Sequence, residues 1–460
     1  MADPGGTGTG RGVVLLATTM ASFLFPFMVS AVNIALPSLG QDLSLDAVTL
    51  GWIVTAYILS SAALLVPFGR IADIYGRKRI FNWGIATFTI SSFLCGIAPS
   101  AAMLISFRVL QGIGGAMLAG TAVALITTVY PANQRGRVLG INVAVTYIGL
   151  SLGPVLGGVL TQGLGWRSIF FLSTLLGLVV IAVVLSKLRG EWTGAKGEKL
   201  DHYGSLAYVV GLTALVIGFT VLPARSGLWL ILGGIAGLAG FIWWEMRTRD
   251  PALDISLFRN SRPFAFSNLA ALINYSATYA ISFLISLYLQ YLKGFTPETA
   301  GLILVAMPAM QAIFSPLAGR LSDRIEPRLL ASAGMALTTA GLVLLIFVTG
   351  ETSLKLIIGN LILIGFGYAL FVSPNTNAVM SSAPKRAYGV ASATLSTMRQ
   401  IGMVFSMAIV MLMFALHIGP AEITPQYYPL FQESMRVSFI IFAALCFGGI
   451  FASLARGKVR

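Results

Sequence analysis

Two arginines stand alone inside long apolar runs. Arg108 opens "RVLQGIGGAM" (Arg108–Met117), and Arg399 sits in "STMRQIGMVF" (Ser396–Phe405). Each has a glutamine close by, Gln111 one helical turn on and Gln400 next in the chain. A charge buried at such depth in a membrane costs about 2.5–3.5 kcal/mol when it faces lipid. Both side chains are therefore expected to face a wet interior cavity. The competing reading is an arginine that stretches out to the headgroups. Tyr57, Asn33, Asn274, Tyr279 and Asn375 are further cavity candidates, although most lone Asn and Tyr side chains in apolar runs tie helices together. Enzyme chemistry lacks its parts. There are two histidines, His202 and His417, and no carboxylate pair lies inside an apolar run. Cys95 and Cys446 are both in apolar runs and support neither a disulfide framework nor a metal cluster. No metal or cofactor is expected.

The elements that must hold these residues are membrane helices. The chain is 57% hydrophobic and only 10% charged, with a mean hydropathy of +0.86. A soluble protein of 460 residues exposes far more charge. Apolar runs of about 20 residues recur, each long enough to cross a bilayer. A backbone in lipid must satisfy its own hydrogen bonds, so the runs are read as helices. Fourteen spans are predicted, at 13–39, 48–68, 80–99, 101–127, 138–162, 167–187, 202–222, 228–246, 263–292, 298–318, 330–349, 354–380, 389–417 and 433–455, each end good to about four residues.

The formal net charge of +14 is assigned to basic loops that orient the helices, not to nucleic-acid binding. With the N-terminus inside, 23 of the 30 Lys and Arg residues fall in cytoplasmic segments. Arg167, Arg225, Lys293, Lys355 and Arg436 fall outside, and Arg108 and Arg399 within spans. That bias places both termini in the cytoplasm of a multi-pass cell-membrane protein. The opening "MADPGGTGTGRG" is short and polar, so the first span is expected to be retained. A monomer is expected.

The chain repeats itself. In "GRIADIYGRKR" (Gly69–Arg79), the pattern Gly69-Arg70-x-x-Asp73 recurs 250 residues later as Gly319-Arg320-x-x-Asp323. At the same offset Gly51 falls on Gly301, and Gly153 falls one residue from Gly402. The second copy of the loop is degraded, with Glu326 and Pro327 in place of Gly76 and Arg77. The chain divides into residues 1–187 and 263–460, two parallel six-helix bundles, with a two-helix insertion and its linkers at 188–262. Two such halves around a midplane site describe a rocking transporter. In span 5, Gly149, Gly153 and Gly157 recur every four residues and make one face small. Pro154 bends that helix, and Gly158 extends the smooth surface.

These stretches carry a resemblance. Together with "LDHYGSLAY" (Leu200–Tyr208) and "PALDISLFRNSRPF" (Pro251–Phe264), they make the chain resemble the major facilitator superfamily, in its fourteen-span drug–proton antiporter branch, over nearly its whole length. The resemblance implies an all-α integral membrane fold, two six-helix bundles plus two additional central helices. It implies that Gly69, Arg70, Asp73, Gly76, Arg77 and Lys78 form a cytoplasmic latch that closes when the protein opens outward. Its partners would lie near the start of span 13 or at Arg137, and Gly319, Arg320 and Asp323 would matter less. Arg108 and Gln111 would face the cavity and handle proton or substrate. Gly149, Gly153, Pro154, Gly157 and Gly158 would pack against the facing half and help seal one side.

One departure matters. Members of this branch often carry an acid in span 1, five residues before an Asn-x-Ala-Leu-Pro pattern. Here the pattern is in "MVSAVNIALP" (Met28–Pro37), and Met28 stands where the acid would be, five residues before Asn33. None of the sixteen acids is deep in a predicted span. A proton thus lacks a carboxylate whose burial raises its proton affinity, and Asp42 and Asp46 remain as a peripheral site. The reading that results is alternating-access export of hydrophobic or amphiphilic compounds, coupled to protons, among membrane lipids. The alternative is an exporter or flippase of anionic lipids or organic anions that uses no deep carboxylate.

Overall fold

The computed structural model describes residues 10–188, 190–195, 197–248, 251, 253, 255–384 and 388–457. The spans are Arg11–Leu43 (span 1), Ala47–Tyr75 (2), Arg77–Gly96 (3), Ala101–Val129 (4), Ala132–Leu164 (5), Arg167–Lys187 (6), His202–Val221 (7) and Arg225–Glu245 (8). They continue with Arg262–Leu292 (9), Pro297–Ser322 (10), Pro327–Ile346 (11), Leu354–Ser381 (12), Tyr388–His417 (13) and Pro425–Ala455 (14). All but span 3 are long and apolar enough to cross a membrane. Span 3 begins on Arg77, Lys78 and Arg79 and carries Asn82 and several Ser and Thr, which lower its hydropathy. It is covered by spans 4 and 6.

Spans 9 and 10 are interrupted where the sequence predicts unbroken runs. In span 9 the helix turns at Tyr279, where the Ser406 hydroxyl takes the Ala280 N–H at 3.0 Å, and it ends in a π-turn over Tyr288–Leu292. A side chain inserted into the ladder is a recognised cause of such breaks. Span 10 breaks at Val305. Pro308 has no N–H to offer the Leu304 carbonyl four residues back.

The packing repeats. Span 1 packs on spans 4, 5 and 6, span 2 on span 4, and span 3 on spans 4 and 6. Eight helices later, span 9 packs on spans 12, 13 and 14, span 10 on span 12, and span 11 on spans 12 and 14. The two halves meet through related pairs as well, span 2 on span 13 and span 10 on span 5, with span 1 against span 9. The repeated glycines sit at these crossings. A Cβ on Gly51 would stand 2.6 Å from Met411 Cγ of span 13, and one on Gly301 would strike the Pro154 carbonyl of span 5. Spans 7 and 8, central in the chain, stand to one side. Span 7 leans on spans 2 and 13, with Tyr208 donating to the Ala62 carbonyl at 2.9 Å, and span 8 packs chiefly on span 7 through Gly211, Gly218, Gly227 and Gly234.

An even number of spans puts both ends of the bundle on one face, the one with the loop after span 2 and its basic residues. We call this the basic face and its opposite the far face. Arg189, Lys196, Arg249, Lys385, Arg386, Lys458 and Arg460, counted with the basic face in the sequence, lie outside the described residues.

Candidate transport site

The halves are tied at the far face. Ser286 Oγ of span 9 donates to the Asn33 carbonyl at 2.7 Å, and Gln290 Nε2 to the Ile34 carbonyl at 3.0 Å. Ala47 N donates to the Ala421 carbonyl at 3.1 Å, and Thr55 Oγ1 approaches Met411 Sδ at 3.1 Å. Span 1 offers its carbonyls for a local reason. Pro37 supplies no N–H, so the Asn33 carbonyl has no partner four residues on. The span 9 hydroxyl from the other half takes that place. Span 5 closes the same face against span 10, for a Cβ on Gly158 would stand 2.5 Å from the Pro297 carbonyl.

The span 5 glycines divide into two groups. Gly158 and Pro154 meet span 10 of the facing half. Gly149, Gly153 and Gly157 instead face Phe23, Ser30 and Ala31 of span 1, inside their own half. Gly402 repeats that contact in the other half, against Leu272 and Tyr275 of span 9.

At the basic face, the loop after span 2 is gripped by a segment that the sequence does not point to, the linker between spans 6 and 7. Asp73 Oδ1 accepts from Arg77 Nε at 2.7 Å, and Arg77 Nη1 reaches Thr128 and the Ala124 carbonyl of span 4. The Asp73 carbonyl accepts from Gly194 N and Ala195 N, and Arg77 N donates to the Trp192 carbonyl. Arg70 pairs with Glu198. The Glu191 carboxylate accepts from Lys78 N at 2.8 Å and Arg79 N at 3.2 Å, capping span 3 from a distant part of the chain. An anion there satisfies orphan donors and complements the helix dipole. Gly76 makes the arrangement possible. Its φ is +124°, and a Cβ on it would stand 2.6 Å from the Glu191 carboxyl carbon. Gly69 lies against Gly120 of span 4.

The expected latch partners are elsewhere in this conformation. Arg137 is exposed, and so are Tyr388, Gly389 and Val390 at the start of span 13. In the second copy Arg320 is exposed and Gly319 half-buried, and Asp323 accepts from Asn377 Nδ2 at 3.4 Å within its own half.

Arg108 lies in the interior and is 0% exposed. Its Nε donates to the Ile53 carbonyl at 3.0 Å and its Nη1 to Gln111 Oε1 at 2.6 Å, while Gln111 Nε2 donates to Ser92 Oγ at 2.7 Å. The guanidinium stands 4.2 Å from the Tyr57 ring centroid. Gly112 and Gly115 let span 4 approach Tyr57 this closely. Tyr279, from the opposite half, is within electrostatic reach of both Arg108 and Tyr57. Arg399 has a different setting. Its Nη2 donates to Thr376 Oγ1 at 2.6 Å, its guanidinium lies 5.7 Å from the Tyr275 ring, and Tyr275 meets Tyr368 edge-on at 5.5 Å. Tyr147 of span 5 approaches this group from the other half.

The remaining candidates separate. The side-chain oxygen of Asn33, both amide atoms of Asn274 and the Gln400 carbonyl oxygen are buried without a partner among the described residues. Asn375 is a helix tie, its Nδ2 donating to the Ser267 carbonyl at 3.1 Å. Met28 does not face a cavity. It is fully buried, and Ser173 Oγ of span 6 meets its sulfur at 2.6 Å. The two peripheral acids hold structure. Asp42 pairs with Arg167 at 2.6 Å and accepts from Trp166 Nε1, and Asp46 caps span 2 through Val48 N, Thr49 N and Thr49 Oγ1. The sequence reading also missed a carboxylate pair. Asp201 and Glu245, both buried, come together over Gly204, where Asp201 accepts from Trp244 Nε1 and Glu245 from Leu253 N. They join the start of span 7 to the end of span 8.

The chain matches the family model described as Major Facilitator Superfamily over residues 18–246 and 268–458. It belongs to that superfamily. This major facilitator transporter is 34% identical over 406 residues to "Multidrug resistance protein Stp" of Mycobacterium tuberculosis (strain CDC 1551 / Oshkosh), covering 86% of this chain and 74% of the relative. It is 32% identical to "Cephamycin export protein CmcT" of Amycolatopsis lactamdurans, covering 92% and 89%. Among solved structures it resembles a bacterial homologue of the human lysosomal transporter Spinster in an inward-facing conformation, with a TM-score of 0.66 over 97% of both chains and 18% identity. That likeness speaks for the fold. The transporter is thus a multi-pass membrane protein of the multidrug-efflux type.

Proposed function

We propose that the protein exports hydrophobic or amphiphilic compounds by alternating access, with the basic face in the cytoplasm. The observation that carries this reading is the set of hydrogen bonds joining the halves at the far face. They are few, neutral and made to carbonyls or sulfur, so they can break and reform. Polar contacts of this kind within membranes average about 0.6 kcal/mol each. The named relatives, a multidrug resistance protein and a cephamycin exporter, favour export over uptake. The bias of Lys and Arg favours the orientation. In the opposite state the loop after span 2 would exchange its linker contacts for contacts across the halves, the latch that the family resemblance implies. Residues 1–187 and 263–460 are the proposed rocking units, and 188–262 carries spans 7 and 8 and the linker that grips the loop after span 2.

The test is efflux of ethidium from vesicles reconstituted with the protein, with and without an imposed pH gradient. Dye movement accelerated by the gradient supports proton-coupled export. Movement indifferent to the gradient removes the coupling, and no protein-dependent movement of any amphiphile tested removes the export reading.

A further inference from the structure

We propose that Arg108, Tyr57 and Tyr279 form a site for one monoanionic group, a carboxylate or an anion of comparable size, completed where the two halves meet. This deepens the transporter reading above and rests on it.

Three donors point to it. Arg108 Nη2, the Tyr57 hydroxyl and the Tyr279 hydroxyl are each buried without a hydrogen-bond partner among the described residues. The other nitrogens of Arg108 are bonded, but only to neutral groups, the Ile53 carbonyl and Gln111. Gln111 turns its amide nitrogen to Ser92, which leaves its carbonyl oxygen on Nη1. The ion pairs among the described residues involve Arg70, Arg77, Arg167 and Arg436, and none reaches Arg108. Met28, where a span 1 acid could have answered it, faces span 6. A guanidinium that is 0% exposed is costly in an apolar interior unless it is paired and hydrogen-bonded. The Tyr57 ring face offers a partial compensation, yet it accepts no N–H in the plane of the guanidinium.

The complement to this group is an acceptor with negative charge. One carboxylate oxygen can take the Nη2 hydrogen and the other a tyrosine hydroxyl, in charge-assisted bonds stronger than neutral ones. Tyr57 and Arg108 belong to one half and Tyr279 to the other. Occupation therefore favours the conformation in which the far face is closed. The anion is either the carboxylate of an amphiphilic cargo or a free inorganic ion, and the two sources are separable.

The experiment uses purified full-length protein in detergent micelles at constant pH and ionic strength. Thermal unfolding is followed while sodium benzoate, its neutral isostere benzamide, or sodium chloride against a sodium sulfate reference is titrated. A ligand that binds the native state raises the unfolding temperature saturably. Expected is a saturable rise with benzoate and none with benzamide. A rise with benzoate alone assigns the site to a cargo carboxylate, and a rise with chloride assigns it to an inorganic ion. The Tyr57→Phe/Tyr279→Phe variant, which keeps ring volume, is expected to shift the half-saturating concentration at least about tenfold; where it does not fold, Tyr279→Phe alone carries the same expectation. No saturable rise with either anion overturns the site, as does a Phe variant that responds like the parent. Ethidium export can persist when anion binding fails, so failure here is distinct from failure of the transporter reading.

Discussion

At the scale of single residues, the informative positions are those whose surroundings leave no alternative. Gly76 is one. Its φ of +124° and the Glu191 carboxylate beside it both exclude a side chain. Gly76→Ala is expected to destabilise the protein by about 1–3 kcal/mol, seen as a lower unfolding temperature. Removing the carboxylate with Glu191→Ala in the same chain should restore only part of the loss, because the backbone strain stays. Full recovery would show that crowding alone was responsible. Arg108 was legible in the sequence because a lone charge in an apolar run must be accommodated somewhere. Tyr279 was legible only as one polar residue among many, since it lies 171 residues further along the chain, in the other half. Met28 was read from a family pattern and misplaced. A pattern says which residue stands at a position, whereas the rotation of span 1 decides that it meets Ser173.

At the scale of elements, the proposed gate at the ends of spans 1 and 9 depends on one proline for its chemistry. Ser286→Ala with Gln290→Ala removes two bonds across the halves, each worth about 0.6 kcal/mol or somewhat more. The population open at the far face should then rise roughly tenfold, as a longer spin-label distance between Gln41 and Glu298. Pro37→Ala should act in the same direction, since the new N–H competes with Ser286 for the Asn33 carbonyl. An unchanged distance distribution in both variants would show that the gate is held by span 5 against span 10 instead. On the other face, Glu191→Ala should cost about 1 kcal/mol of helix capping and speed amide exchange in the first turn of span 3, with little change in span 4. The spans themselves were predictable from apolar length, and the repeat from the Gly-Arg-x-x-Asp spacing. The breaks at Tyr279 and Val305 were not fully so. Pro308 could have announced the second, but the first depends on a hydroxyl from span 13. The hold of Glu191 and Glu198 on the loop after span 2 was also hidden, because a polar linker carries no periodicity that says what it touches.

For the whole molecule, the repeat explains the machine. Two six-helix units with the same internal pairing meet through span 2 on span 13 and span 10 on span 5, and in the proposed mechanism this seam closes at either end in turn. Spans 7 and 8 lie beside that seam and touch both halves through span 7, so they must accommodate the motion without blocking it. The Trp244 N–H on Asp201 and the glycines between the two helices keep them together as one piece. The central claim is that the far face must open for export. It is tested most directly by locking that face. With Cys95 and Cys446 replaced by Ser, the pair Gly51→Cys and Met411→Cys places two thiols where a Cβ on Gly51 stands 2.6 Å from Met411 Cγ, within the reach of a disulfide, whose Cβ atoms are about 3.5–4.5 Å apart. Oxidation is predicted to stop ethidium efflux from reconstituted vesicles, and reduction to restore it. Efflux that continues at the reduced rate constant in fully cross-linked protein would contradict alternating access through this face.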